Sequence, residues 1–146
     1  MRSCPSSQES REQRTPMYSS TTKDIRVTVE PRYVEDQSVP AERRFFWAYS
    51  VEIANAGSSA VQIIARHWTI TDGNGRREDV RGIGVVGEQP VIGPGGSFSY
   101  TSGCPLTTPS GVMVGTYQAV DGDGAVFTVD IPAFSLDLPG AKPVLN

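Results

Sequence analysis

Apolar and polar residues alternate along much of this chain, and no long segment shows a helical repeat. In the segment Phe45–Asn55, the odd positions from Phe45 to Ile53 are all aromatic or β-branched, whereas most even positions are small or polar. Successive side chains of a strand point to opposite faces, so this pattern predicts a strand with one buried face. The same alternation predicts a strand that begins at Ile25 and ends or bends at Glu30-Pro31.

Turn-forming residues divide the rest of the chain into further short strands. Asp72–Gly75 and Asp121–Gly124 are rich in Asp and Gly and predict hairpin turns. The other predicted strands are Val61–Thr71, Arg76–Arg81, Ser97–Ser102, Val112–Val120 and Ala125–Ile131. Residues 132–146 contain three prolines and predict a short arm along a sheet edge.

These elements together indicate an all-β fold with about seven or more strands, separated by turn signals at intervals of about 8 to 12 residues. We expect an antiparallel β-sandwich of immunoglobulin or fibronectin type III shape. A small closed barrel is the structural alternative. The length of 146 residues fits one domain.

The first 16 residues differ in character from the remainder. They contain no Ile, Leu, Val or aromatic residue, so they are predicted to be a disordered N-terminal extension. Residues 17–146 are predicted to form the single folded domain. We hypothesise that Met17 is the original start of the protein, which N-terminal mass analysis of the native product would test.

Charge and composition exclude several classes of protein. The chain has 13 Lys+Arg against 16 Asp+Glu, a net charge of -3, so no strong attraction to nucleic acid is expected. No apolar stretch approaches the roughly 20 residues that span a bilayer, and two cysteines cannot form a disulfide framework. We therefore expect a cytoplasmic protein without a membrane association.

The segment Gly82–Gly87 matches G-x-G-x-x-G by letter. A dinucleotide-binding fold needs a helix after these glycines, and Gly93–Gly96 and the preceding Pro90 make a helix implausible. Two interpretations remain. In one, the amides of Gly82, Gly84 and Gly87 cradle an anion, with Arg66 and Arg81 as counter-charges. In the other, which the sequence favours, the segment is a glycine-rich crossing between sheets.

The remaining candidate residues carry weaker signals. His67 is the only histidine and has no partners at metal-ligand spacing, so it is predicted to pack, with ligand or partner contact as the alternative. Glu88 and Gln89 are further candidate contacts, and Phe46 is a candidate partner contact opposite the core face. A Cys104 and His67 nucleophile pair lacks an activating turn. We assign no catalytic residue, metal or cofactor.

Several ordered motifs resemble those of the ApaG family. They cover nearly the whole of residues 17–146 and comprise Arg66-His67-Trp68, Thr71–Gly75, Gly82–Pro90 (GIGVVGEQP), Pro94-Gly95, Tyr100–Gly103, Thr108-Pro109, Gly111, Met113, Gly115 and Ile131–Phe134. This resemblance implies a single ApaG domain with a fibronectin type III-like sandwich. It also implies pyrophosphate or nucleotide binding at the glycine segment, as has been suggested for the family.

The resemblance also bears on function. Bacterial members are often labelled as cobalt and magnesium efflux proteins, but a chain without a membrane span cannot itself transport ions, so any such link is indirect. Similar domains in larger eukaryotic proteins imply an adaptor role. We expect a non-enzymatic binding module for a protein partner, with homodimerisation through an exposed strand left open. The alternative is a phosphate, pyrophosphate or nucleotide sensor that uses the GIGVVG segment.

Overall fold

Nine β-strands and two short 3-10 turns form the regular structure of residues 16–140, the part of the chain that the computed structural model describes. The strands are β1 (Tyr18–Thr22), β2 (Ile25–Tyr33), β3 (Phe45–Asn55), β4 (Val61–Asp72), β5 (Arg77–Ile83), β6 (Val91–Ile92), β7 (Ser97–Leu106), β8 (Gly111–Val120) and β9 (Val126–Leu136). The predicted N-terminal extension, up to residue 15, and residues 141–146 lie outside the described residues.

Two antiparallel sheets form a sandwich. The first sheet has the order β1-β2-β3-β7, and the second has the order β5-β4-β8-β9, with β6 paired to the start of β4. The predicted all-β sandwich is therefore confirmed. No helix among residues 16–140 is long and apolar enough to cross a membrane.

The core lies between the two sheets and follows the predicted alternation. In β3, every odd position is buried, and the even positions are half-buried or exposed. Phe134 occupies the centre, where its ring contacts those of Tyr18, Tyr49 and Trp68. We call the sheet faces that enclose this core the inner faces and the opposite ones the outer faces.

Both predicted hairpins are confirmed, and an aspartate side chain holds each turn. Asp72 Oδ1 accepts hydrogen bonds from the backbone amides of Asn74 and Arg76. Asp121 Oδ1 accepts equivalent bonds from Asp123 and Ala125. Each aspartate side chain therefore stabilises its turn by accepting hydrogen bonds from the backbone amides two and four residues later.

The prediction that β2 ends at Glu30-Pro31 is wrong. The strand continues to Tyr33, and Pro31 pairs with Tyr49 of β3. The strand can contain Pro31 because β1 pairs with β2 only as far as Val29. Beyond Val29 this side of β2 is an edge, where the missing amide of a proline leaves no ladder bond unmade.

The predicted edge arm also needs correction. Residues 132–136 belong to β9, and Phe134, Ser135 and Leu136 are buried. The register of β8 against β9 shifts between Met113 and Gly115. This irregularity accommodates Pro132 inside the strand, because a bulge tolerates a residue that cannot donate a ladder hydrogen bond.

Candidate functional site

A β-bulge in β4 anchors the glycine-rich segment to the second sheet. The register of β4 against β8 shifts between Ile63 and Ala65, which leaves Ile64 outside the ladder. The carbonyl oxygen of Ile64 accepts a hydrogen bond from the Gly84 amide at 2.7 Å and another from the Gln89 side-chain amide at 3.0 Å. The bulge therefore supplies an acceptor that holds the segment at two points.

The segment itself forms a tight hairpin with Val86 and Gly87 at its tip. The Val85 amide donates to the Glu88 carbonyl at 2.7 Å, and the Glu88 amide donates to the Val85 carbonyl at 2.9 Å. Both tip residues have positive φ, +42° for Val86 and +81° for Gly87, as a type I′ turn requires. A β-branched residue rarely adopts this conformation, so the fold holds Val86 under strain.

This geometry corrects the prediction of a crossing between sheets. The hairpin connects β5 to β6, and both of these strands pair with β4 in the second sheet. The chain crosses to the first sheet only after β6, through the turn at residues 93–96. The glycines of the hairpin therefore shape one sheet edge.

Arg66 braces the hairpin. Its Nη1 donates to the carbonyl oxygen of Gly84 at 2.9 Å and to that of Ile83 at 3.2 Å. The guanidinium lies against Gly82, where a Cβ atom would stand 2.6 Å from Nη2. Gly82 is thus the residue that permits this close approach.

The hydrogen bonds of Arg66 to the hairpin limit which groups of the predicted anion site are available to a ligand. The structure does bring Gly82, Gly84 and Arg66 together, but the Gly84 amide and the Arg66 guanidinium are both bonded to backbone carbonyl groups. Gly87 lies at the exposed tip. Arg81 is exposed on β5, where it pairs with His67 of β4. The geometry therefore resembles a closed structural turn more than an open cradle for an anion.

Exposed aliphatic side chains surround the hairpin. Ile83 at the end of β5 is 76% exposed, Val86 at the tip is 51% exposed and Val91 in β6 is 65% exposed. We call the surface formed by these three residues the hairpin edge. Of the predicted contacts here, the Glu88 side chain is exposed beside it, whereas Gln89 is engaged with Ile64.

His67 lies on the outer face of β4 and belongs to a small polar cluster. Its Nε2 is 3.1 Å from Asp79 Oδ1, and the same oxygen accepts a hydrogen bond from the Thr69 hydroxyl at 2.9 Å. Arg77 Nε is 3.5 Å from the other carboxylate oxygen. A shallow groove that includes His67, Arg81 and Ile83 runs from this cluster towards the hairpin edge.

The polar cluster around Asp79 lowers the pKa of its carboxyl group. Hydrogen bonds from Thr69 and His67, together with the charge of Arg77, hold that pKa below its ordinary value. The ionised Asp79 carboxylate therefore stabilises the folded state when the pH is above the pKa that Asp79 has in the unfolded chain. This stabilisation is lost as the pH falls through the lower pKa of the folded state.

We expect Thr69→Val to raise the pKa of Asp79, measured by carboxyl NMR titration. The control Thr71→Val lies on the same strand, and an equal shift there would contradict this assignment.

Cys104 and His67 do not form a nucleophile pair. Cys104 is buried in the core, whereas His67 bonds to Asp79 on the outer face of the second sheet. Burial raises the pKa of the Cys104 thiol to about 11. A thiol that remains protonated near neutral pH is a poor nucleophile.

The buried thiol leads to a reactivity prediction. In a Cys4→Ser variant, where Cys104 is the only cysteine, we expect reaction with Ellman's reagent at pH 8 to be at least about a hundredfold slower than in the unfolded chain. Absorbance at a fixed reagent concentration measures this rate, and urea-unfolded protein supplies the reference. Rapid reaction of the folded protein would contradict the buried, protonated state.

The structure also places residues that the sequence did not single out. The bulge leaves the carbonyl group of Ile64 available to the glycine-rich segment. The Gln62 side chain also holds this segment, because it donates a hydrogen bond to the Gln89 carbonyl at 3.0 Å. No sequence pattern marks a bulge of this kind. Among residues 16–140, no group of three or more His, Cys, Asp or Glu residues is placed to hold a metal ion.

Comparison with known proteins identifies the class of this small β-sandwich with a braced glycine hairpin. A family model described as the ApaG domain matches residues 35–121. The chain is 60% identical over 130 residues to Protein ApaG of Paramagnetospirillum magneticum, an alignment that covers 89% of this chain and 100% of that protein. Protein ApaG of Brucella suis is 58% identical over the same proportions of the two chains.

A solved structure agrees with these matches. The crystal structure of the ApaA protein from Bordetella pertussis superposes with a TM-score of 0.78 and 48% sequence identity, and covers 87% of this chain and 98% of that one. The chain belongs to the ApaG family. The resemblance seen in the sequence motifs is thereby confirmed.

Proposed function

We propose that this chain is a non-enzymatic binding module that contacts a partner protein through the hairpin edge. The exposure of Ile83, Val86 and Val91 carries this proposal. Scattered apolar residues are ordinary on a surface, but here three exposed aliphatic side chains belong to one hairpin and its two flanking strands, which supports a contact surface at this place. A partner that covers them gains apolar burial.

Rigidity supports the same function. Hydrogen bonds from Gly84, Gln89 and Arg66 fix the hairpin before any partner arrives. A loop that is already ordered loses little conformational entropy on binding. Strain at Val86 adds to this argument, because strained backbone often marks a functional position.

The alternative is a phosphate, pyrophosphate or nucleotide sensor. Arg81 favours it, since no carboxylate among residues 16–140 lies within 4.0 Å of its guanidinium nitrogens. The amides of Val86 and Gly87 at the tip would have to supply the backbone contacts. Any link to cobalt or magnesium resistance would be indirect under either function.

Site-specific photo-crosslinking tests the proposal. We would place a photoreactive phenylalanine at Val86 in one variant and at Val126 in another, and irradiate cells of the native host. Val126 is a matched control because it is 67% exposed on a different hairpin. We expect a defined crosslinked protein from position 86 only. Equal or absent crosslinking at the two positions would contradict the proposal.

Val86→Asn separates binding from folding. Asparagine tolerates positive φ better than valine, so the free energy of unfolding should stay the same or rise by about 1 kcal/mol. The variant should nevertheless bind the crosslinked partner more weakly, measured by calorimetry with the purified partner. Unchanged affinity would show that the apolar tip is not part of the contact, and pyrophosphate binding at the same loop would favour the sensor.

A further inference from the structure

A second surface lies at the other end of β4, where the two sheets part. This cleft has a volume of about 590 Å³, within the range of roughly 300 to 1,000 Å³ that is usual for ligand pockets. Arg43, Arg44, Arg76 and Arg77 line it, and we call it the arginine cleft. It contains none of the residues of the hairpin edge.

Charge in the arginine cleft is unbalanced. Its lining has four arginines against two acidic residues, Asp72 and Glu78, and the ion-pair partners of Arg44 and Arg77 lie outside the lining. Asp72 Oδ1 already accepts two backbone hydrogen bonds in its turn. Within the described residues, no carboxylate lies within 4.0 Å of the guanidinium nitrogens of Arg43 or Arg76.

The other two arginines have only loose ion pairs. Arg44 is 3.7 Å from Glu42, and Arg77 is 3.5 Å from Asp79. These pairs are exposed, and such pairs are worth little because water screens them. A ligand with well-placed carboxylates can therefore replace or share them.

The floor of the cleft is apolar. Ile70 of β4, Phe45 of β3 and Leu106 of β7 form part of the lining. Phe46 also borders the cleft, and its half-buried ring lies over Gly103 on the outer face of the first sheet. The backbone of Arg43 has φ of +58°, which is unusual for a residue other than glycine. The Arg43 amide donates a hydrogen bond to the Pro40 carbonyl, and the resulting tight turn places Arg43 in the lining of the cleft.

We propose that the arginine cleft binds an acidic peptide segment of a partner protein, with carboxylates on the arginines and an apolar side chain on the floor. Arginine forks recognise carboxylates by paired hydrogen bonds. A bare inorganic anion would leave the apolar floor uncovered, whereas a peptide of alternating acidic and apolar residues would fill both parts. This proposal concerns a site separate from the hairpin edge.

Fluorescence anisotropy of the full chain tests this inference. The probe is a fluorescein-labelled peptide of alternating glutamate and leucine, compared with peptides of glutamate and serine and of lysine and leucine. We expect saturable binding of the first peptide alone. The Arg43→Gln and Arg76→Gln variants should each weaken it about threefold to tenfold, and Arg26→Gln, on β2 outside the cleft lining, should leave it unchanged.

Three outcomes would overturn the inference. One is no saturable binding of the glutamate and leucine peptide. Another is an equal loss of affinity in Arg26→Gln, which would indicate only a general effect of net charge. The third is equal binding of the serine-containing peptide together with full competition by inorganic pyrophosphate, which would indicate a simple anion site. None of these results depends on whether the hairpin edge binds a partner.

Discussion

Gly84→Ala should lower the free energy of unfolding by about 2 to 5 kcal/mol, the sum of left-handed backbone strain and overpacking. Gly84 has φ of +68°, and a Cβ atom there would stand 2.2 Å from the Glu88 carbonyl oxygen. That oxygen also accepts the Val85 amide, so the hairpin cannot close unchanged. Urea denaturation followed by tryptophan fluorescence measures the loss.

Gly87→Ala is the matched control for this prediction. Gly87 also has positive φ, +81°, but a Cβ atom there would meet nothing within 4 Å. Only backbone strain should remain, about 1 to 2 kcal/mol. Equal losses in the two variants would contradict the close packing of Gly84 against Glu88.

Phe134→Ala should cost about 3 to 5 kcal/mol, the usual range for removing a fully buried phenylalanine. The ring is completely buried and packs against Tyr49 and Trp68 between the two sheets. The substitution leaves a cavity that neither sheet can close without moving. Thermal and urea unfolding would both show the loss.

Phe98→Ala provides the comparison for Phe134. Phe98 is half-buried in β7, and its ring is 6.2 Å from that of Tyr100, so its removal should cost clearly less than that of Phe134. If the two variants were equally stable, the end of β9 would not belong to the core. The edge arm expected from the sequence would then be the better description.

Much of the sandwich could be predicted because its strands bury one face. The alternation in β3 and the aspartate turns at residues 72 and 121 follow directly from local chemistry. Pro31 and Pro132 misled the prediction because the position of a neighbouring strand or bulge decides whether a proline is tolerated. β1 escaped prediction because its sequence, YSSTT, is largely polar.

The candidate site could be predicted only in part. The glycine spacing of residues 82–87 indicated an unusual backbone conformation, and the positive φ angles of Gly84 and Gly87 agree with this prediction. Whether the Gly84 amide faces a ligand or the protein depends on the Ile64 bulge, which lies about 20 residues away in the chain. The arginine cleft likewise depends on tertiary structure, since it joins residues 43 and 44 to residues 76 and 77.

Amide hydrogen exchange at the hairpin tests the central claim most directly. A closed hairpin, ordered before any ligand arrives, predicts that the amides of Gly84, Val85 and Glu88 are protected in the free protein, and that adding pyrophosphate does not change their exchange rates. Rapid exchange of these three amides in the free protein, with protection only when pyrophosphate is present, would contradict this account and establish an anion cradle.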